Sequence, residues 1–375
     1  MQTIKQPFFI VSALVIASLT TFYFSNSWIS VLVLFIGILL GATLNYFHFG
    51  FSSSFRALIE QRKTSGMRAI VWMLGLAILL FAPLLAMESI GEQSYYGHIR
   101  PLSLSVAVGA FVFGIGMQIG CGCTSGTLTR VGQIQPLALP TLFFMVIGGT
   151  LAAFTFDIWR NWPTFEPVAY QSILNWPLAI LLQILILSAI YLLFHRTENR
   201  QHQTVEALFK PGSIHPWLLA ATGLALLNAL LFLVAGAPWS IASIFPYWGV
   251  RIIDVFSLPV DWSFWDYSIE NDSHLSSEIL SNQVSLTTMG VIIGALAVSI
   301  YKPRAKVPLK FNNTLASIIG GLIMGFGAVM ASGCNIGAFF SGIASGSLHG
   351  WLWFIFALFG NLVGLKLRYS LFKLS

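Results

Sequence analysis

Three cysteines stand in the 375 residues, at positions 121, 123 and 334. Two of them share a setting. Gly114-Ile115-Gly116 leads, seven residues after Gly116, to Cys123 and then Gly126; Gly325-Phe326-Gly327 leads, seven after Gly327, to Cys334 and then Gly337. Both stretches read G-x-G-x6-C-x2-G. A thiol beside glycines can ligate a metal, exchange disulfides or act as a weak S–H donor. No second set of ligand residues keeps zinc spacing with these cysteines, and no C-x-x-C occurs, so neither a structural metal nor a disulfide framework is expected. A single buried cysteine is ordinarily a small apolar residue at a tight crossing. The repetition at Cys123 and Cys334 favours function there, whereas packing is the expectation for Cys121, whose loss to alanine should be nearly silent.

The elements that must hold these thiols are membrane helices. Hydrophobic residues make up 56% of the chain and charged residues 9%, against about 25% charged in soluble domains. So few charges cannot cover a water-facing surface, which excludes a cytosolic enzyme, a disordered chain and a secreted disulfide scaffold. The reading is an all-α polytopic membrane protein with about ten transmembrane helices. The apolar segments fall near 8–24, 28–47, 67–87, 101–118, 137–157, 173–194, 216–236, 285–301, 314–331 and 350–365. The first follows Lys5 and is taken as an uncleaved helix, because a second span follows at once.

Charge orients this chain. With the N-terminus on side A, sixteen of the nineteen Lys and Arg residues fall on side A, and ten of the thirteen Asp and Glu residues on side B. The positive-inside rule makes side A cytoplasmic and puts both termini there. The net charge of +6 is therefore a topology signal rather than a nucleic-acid footprint. The acidic run from Asp261 to Glu278 is expected to be a solvated loop on side B.

Four connections are not ordinary polar loops: the two cysteine stretches, Gly50-Phe51-Ser52-Ser53-Ser54-Phe55, and Ala237-Pro238-Trp239-Ser240-Ile241-Ala242-Ser243. All four are expected to be short re-entrant half-helices. Irregular backbone at membrane depth persists only where it is buried or lines a wet cavity. Equivalent spans lie five apart, an odd number, so the two copies should be inverted and form an hourglass. The expected organisation is an extra N-terminal helix (1–27), a first repeat (28–160), a linking helix and cytoplasmic loop (161–212), and an inverted second repeat (213–375). Helix N-termini converging at the waist would favour an anion there. Ser52 reads as an N-cap, and Arg130 and Arg251, near half-helices on opposite sides, stand between function and headgroup contact.

At this point the residues resemble a known family. Gly122-Cys123-Thr124-Ser125-Gly126-Thr127-Leu128 and Gly333-Cys334-Asn335-Ile336-Gly337-Ala338-Phe339 look like the paired signatures of the YeeE/YedE sulfur-transport family. Pro238-Trp239-Ser240-Ile241-Ala242-Ser243 with Trp248-Gly249 is similar to its third signature. The resemblance implies inner-membrane uptake of thiosulfate or a related sulfur compound. It implies three cysteines at the waist passing the anion inward by S–H···S contacts. Two of these match Cys334, toward the outside, and Cys123, near the middle. The third falls on Gly50-Phe51-Ser52, where serine replaces cysteine, and Cys121 is an extra thiol nearby. The relay and binding residues so expected are Cys334, Cys123, Cys121 and Ser52, with Gly126, Gly337, Asn335, Ser125 and Ser240 around them. The family also suggests a small TusA-like cytoplasmic sulfurtransferase as partner.

A thiol suits such a cargo. Thiosulfate is a dianion with a soft terminal sulfur, and a neutral S–H can hold that sulfur without trapping it. No nucleotide-binding loop is present, and no cofactor is expected. The competing readings are a membrane thiol–disulfide oxidoreductase, which the missing C-x-x-C counts against, and a permease for a selenium oxyanion or a soft metal.

Overall fold

The computed structural model describes residues 20–23, 27–210 and 212–372. The expected first span, 8–24, lies almost wholly outside the described residues. The other nine expected spans are all helices. Among the described residues, eight helical stretches are long and apolar enough to cross a membrane, and there are two shorter apolar ones, Ala138–Phe154 and Asn335–Ala344. The chain is an all-α polytopic membrane protein.

In chain order, leaving aside four helices of four or five residues in the side-B connections, the helices are α1 Trp28–Tyr46, the short α2 Phe51–Arg56, α3 Ser65–Met87, α4 Leu104–Ile119, α5 Thr124–Gly132, α6 Ala138–Phe154, α7 Trp176–His202, α8 Pro216–Ala235, α9 Ile244–Val255, α10 Gln283–Tyr301 and α11 Phe311–Met330. A π-helical turn, Asn335–Ser341, and Gly342–Ala344 together make α12, and α13 is Leu348–Ser370. Their starts are written locally. The Asn175 side chain accepts from Leu178 N–H ahead of α7, and that of Asn282 from Ser285 N–H ahead of α10. Pro216 sits at the first position of α8, which ends at Gly236 with φ +73°.

The two halves are related in register, by a shift of 211 residues across the cysteine stretches (334 minus 123). Gly122 N–H donates to Met117 O and Gly333 N–H to Ala328 O; Thr127 N–H donates to Cys123 O and Ala338 N–H to Cys334 O. Cys121 and Ser332, again equivalent, both take the left-handed conformation, with φ of 60° and 54°. A kink that strains two non-glycine residues in the same place in both halves is a shared device rather than an accident.

The equivalent helices α4 and α11 also cross each other, and their register gives the sense of the repeat. A methyl added at Gly116 would lie 2.9 Å from Gly320 O, and one at Gly327 would lie 2.7 Å from Gly109 O. Residue numbers rise along one helix as they fall along the other, so the helices run antiparallel and the copies are inverted. Packing follows the same exchange: α4 lies on α13 as α11 lies on α6, and α1 lies on α10 as α3 lies on α8. Only glycine admits so close an approach. Lipid offers no hydrophobic drive between helices, so this dispersion contact is what joins them.

α7 stands outside the symmetric pairs and docks on α3. Arg68 and Glu198, both buried, pair at 3.1 Å, and Thr64 N–H and Oγ1–H also donate to Glu198 Oε2. On the other side, the acidic run is not simply a solvated loop. Asp266 and Glu270 pair with Arg160 at 2.8 Å each, while Tyr267 and Leu275 are buried. Its alternating apolar residues give it a face that folds down onto the helix ends.

Candidate functional site at the helix breaks

Each thiol occupies the position just before a half-helix. Cys123 is the N-cap of α5, and its sulfur accepts from Gly126 N–H at 3.4 Å. With that acceptor role filled, its S–H hydrogen is left to donate. The Ser125 hydroxyl lies 3.4 Å away. Cys334 is the N-cap of α12 and its side chain makes no capping hydrogen bond; Cys123 and Thr124 are its neighbours across the two halves. Both sulfurs are fully buried, and all three cysteines are free thiols.

Met117, at the end of α4, is the meeting point of the breaks. Its carbonyl accepts from Ser52 Oγ at 3.3 Å, and its sulfur accepts from Asn335 Nδ2 at 3.6 Å. The fourth break joins through Ser341 of α12, whose hydroxyl donates to Trp239 O at 2.6 Å and accepts from Asn228 Nδ2 at 3.2 Å. Ser240 and Gly337 are neighbours across this joint: a methyl on Gly337 would lie 3.0 Å from Ser240 Oγ. The structure thus brings Cys123, Cys334, Ser52, Ser125, Gly126, Asn335, Gly337 and Ser240 into one region. At its centre the hydroxyl of Thr124 and Oδ1 of Asn335 are buried with no hydrogen-bond partner. Buried polar atoms without a partner are costly to desolvate.

Ser52 corrects its expected role. Gly50 is the N-cap of α2, and Ser52 lies inside the helix with its hydroxyl turned to Met117 O. Three consecutive serines made the true cap ambiguous in the sequence. Of the two arginines, Arg130 belongs to the site: it donates to Gly120 O at 3.0 Å and lines a cavity with Cys121 and Cys123. Arg251 does not. It donates to Leu275 O and Ser277 O and lies over the Tyr247 ring, holding the side-B segment in place.

That cavity, of about 200 Å³, opens on side A and is lined by Ser52, Cys121, Cys123, Gly126, Arg56, Arg130 and Arg304 among others. Cys121, expected to be packing, is half-buried at its wall, and Arg368 NH1 lies 2.8 Å from its sulfur. Arg56, Arg304, Arg368 and Gln118 went unnoticed in the sequence. Gln118 is the hub: its Oε1 accepts from Arg56 at 3.2 Å, its backbone carbonyl accepts from Arg368 at 3.1 Å, and its Nε2 donates to Asn361 Oδ1. A glutamine directly after the Gly-x-Gly-Met run of an apolar span was the available signal.

On side B, His98 Nε2 lies 3.2 Å from Ser332 O, and its ring is 5.8 Å from that of His349. Burial, with Arg100 adding to it, brings the His98 imidazole down to a pKa of about 4, so it is neutral at neutral pH.

Known proteins are similar to this chain in sequence. Residues 48–363 match the family described as sulphur transport. The thiosulfate transporter TsuA of Spirochaeta thermophila is 28% identical over 360 residues, covering 88% of this chain and 96% of that protein. The protein of Escherichia coli named "Probable transporter YedE" is 28% identical over 162 residues, covering 40% of this chain and 39% of that one. The match spans both inverted copies and all four breaks, and with it the chain belongs to the sulphur-transport family.

Proposed function

We propose that the protein takes up thiosulfate or a closely related sulfur-containing anion across the bacterial inner membrane, with the anion passing from Cys334 to Cys123. The observation that carries this reading is the pair of buried N-cap thiols at equivalent places in inverted halves, beside an unpartnered Thr124 hydroxyl. Each half-helix turns its positive N-terminal end toward the waist, which favours an anion without fixing it by a full charge. Thiosulfate would meet the S–H groups with its soft sulfur, and Thr124 would donate to a sulfonate oxygen. Turning the Asn335 amide by 180° would bring an N–H to the place its orphan Oδ1 now holds, giving a second donor. Binding made of weak contacts releases its cargo.

In this reading side A is the cytoplasm, both termini lie there, and the units 28–160 and 213–375 are the two inverted repeats behind the extra helix 1–27. A TusA-like sulfurtransferase would receive the sulfur on side A. The thiosulfate transporter from Spirochaeta thermophila, aligned over nearly its whole length, supports the choice of cargo. The test is uptake of radiolabelled thiosulfate by cells or proteoliposomes carrying the protein, with sulfate, sulfite and selenite as competitors. Saturable uptake, resisted only weakly by sulfate, is expected. Equal competition by sulfate would remove the role of the soft sulfur.

A further inference from the structure

The side-A mouth is charged in a way the waist is not. Arg56, Arg130 and Arg304 line the 200 Å³ cavity around Cys121, and a wider cavity of about 720 Å³ continues from Cys121, Arg130 and Arg304 toward Lys310 and Arg368. Among the described residues, no carboxylate lies within 4 Å of Arg56, Arg130 or Arg304, although three other arginines, Arg68, Arg160 and Arg251, have such a partner. Arg56 is held by the neutral amide of Gln118. Arg130 caps the carbonyl of Gly120 at the end of α4, and its buried Nε has no hydrogen-bond partner. Glu60, the acid that acts on Arg56, accepts from the Tyr369 hydroxyl at 2.6 Å. Arg56, Arg130 and Arg368 repel one another.

A helix C-terminus carries only about half a negative charge, which cannot offset guanidinium groups crowded around one cavity. Arg304 is brought there deliberately: the Gln135 side chain donates to Ala305 O and accepts from Val307 N–H, clamping that loop against the mouth. Cys121 is held in a strained left-handed conformation, φ 60°, and lines both cavities. Planar guanidinium forks fit oxyanion oxygens, and a thiol fits a soft sulfur.

We propose that this mouth is an exit site for the thiosulfate dianion, with Arg56, Arg130 and Arg304 holding its sulfonate oxygens and Cys121 its terminal sulfur. It rests on the uptake reading for the identity of the anion. It gives Cys121, and not Ser52, the station that the missing third cysteine would have held. A stronger site on the far side of two weak ones draws the anion forward, and the open cavity lets it leave to water or to an acceptor protein.

The test is alkylation of Cys121 by a membrane-impermeant maleimide in inside-out vesicles of zwitterionic phosphatidylcholine, with the label located by mass spectrometry. It uses the Cys334→Ala protein, so that binding is separated from transport. Thiosulfate should slow labelling of Cys121, sulfate should do so less well, and Arg304→Gln should raise the half-protecting thiosulfate concentration about tenfold or more, the loss of one charged hydrogen bond. Arg304 is exposed, so this variant keeps the fold. Labelling of Cys121 at the same rate with and without thiosulfate would overturn the exit site. So would protection by anionic phosphatidylglycerol in place of the added anion, which would make the cluster a headgroup site. Protection without any thiosulfate flux through the unmutated protein would support the exit site and overturn the uptake reading alone.

Discussion

Ser52 carries the sharpest residue-level test outside the thiols. Its hydroxyl ties α2 to the carbonyl of Met117 and faces the side-A cavity. Ser52→Ala removes one neutral hydrogen bond and should cost about 1 kcal/mol in thermal unfolding, with uptake largely kept. Ser52→Cys restores a soft atom at the cavity wall and should keep or raise uptake. A transport-dead Ser52→Ala protein at normal abundance would make the hydroxyl part of the path. At this scale the sequence was informative where residues repeat. Cys123 and Cys334 announced themselves through a shared spacing, and Thr124 and Asn335 come with them. Cys121 did not, because nothing in a lone C-x-C tells that the first cysteine is left-handed and that its sulfur meets Arg368 beside a cluster of arginines. Those arginines come from α2, α5, α13 and a loop, and no local pattern joins them.

At the scale of elements, the close crossing of α4 and α11 depends on glycine. A methyl at Gly327 would come within 2.6 Å of Phe113 N and 2.7 Å of Gly109 O, all of it backbone that cannot move aside. Gly327→Ala should therefore destabilise the protein by about 1–3 kcal/mol, read as a lower unfolding temperature in detergent; an unchanged value would mean that the crossing is loose. His98 gives the side-B connection a pH dependence. Its folded pKa, about 4, lies below the ordinary 6.5. A histidine held neutral contributes stability that is present above about pH 6.5 and is lost as the pH falls toward 4. Against His98→Gln, the native protein should lose stability over that window, and parallel curves would refute the assignment. Spans and breaks were legible from hydropathy and glycine placement. The ends were less so: the final helix runs to Ser370 rather than 365, because Lys366 and Arg368 interrupt the apolar run while Arg368 turns inward to Gln118. The acidic segment read as loop because charges outnumber its few buried anchors, Tyr267 and Leu275.

For the whole molecule, the inverted architecture followed from an odd spacing between equivalent spans, and the antiparallel register of α4 on α11 is its physical form. The inverted halves bring together two thiols that are far apart in sequence. In the proposed orientation side A is cytoplasmic, so a C-terminal fluorescent fusion should glow and a C-terminal alkaline phosphatase fusion should be inactive; the opposite pair of results would invert the direction in which Cys334 precedes Cys123. What hydropathy cannot deliver is the asymmetry between the two mouths. It arises from Arg304, on a loop set by Gln135, and from Arg56, one helical turn beyond Ser52. The repeat relation made the waist predictable, and the departures from the repeat make the exit.

The central claim, that Cys334 and Cys123 are successive stations on one path, is tested most directly by uptake of labelled thiosulfate in the Cys334→Ala and Cys123→Ala proteins at matched membrane abundance. Losing a hydrogen bond to a charged group is worth about 1.5–3 kcal/mol. At about 1.4 kcal/mol per tenfold, each variant should slow uptake by roughly tenfold or more, with Cys→Ser falling between alanine and the native residue. Uptake at the native rate in both alanine variants would make these thiols packing residues and end the relay account.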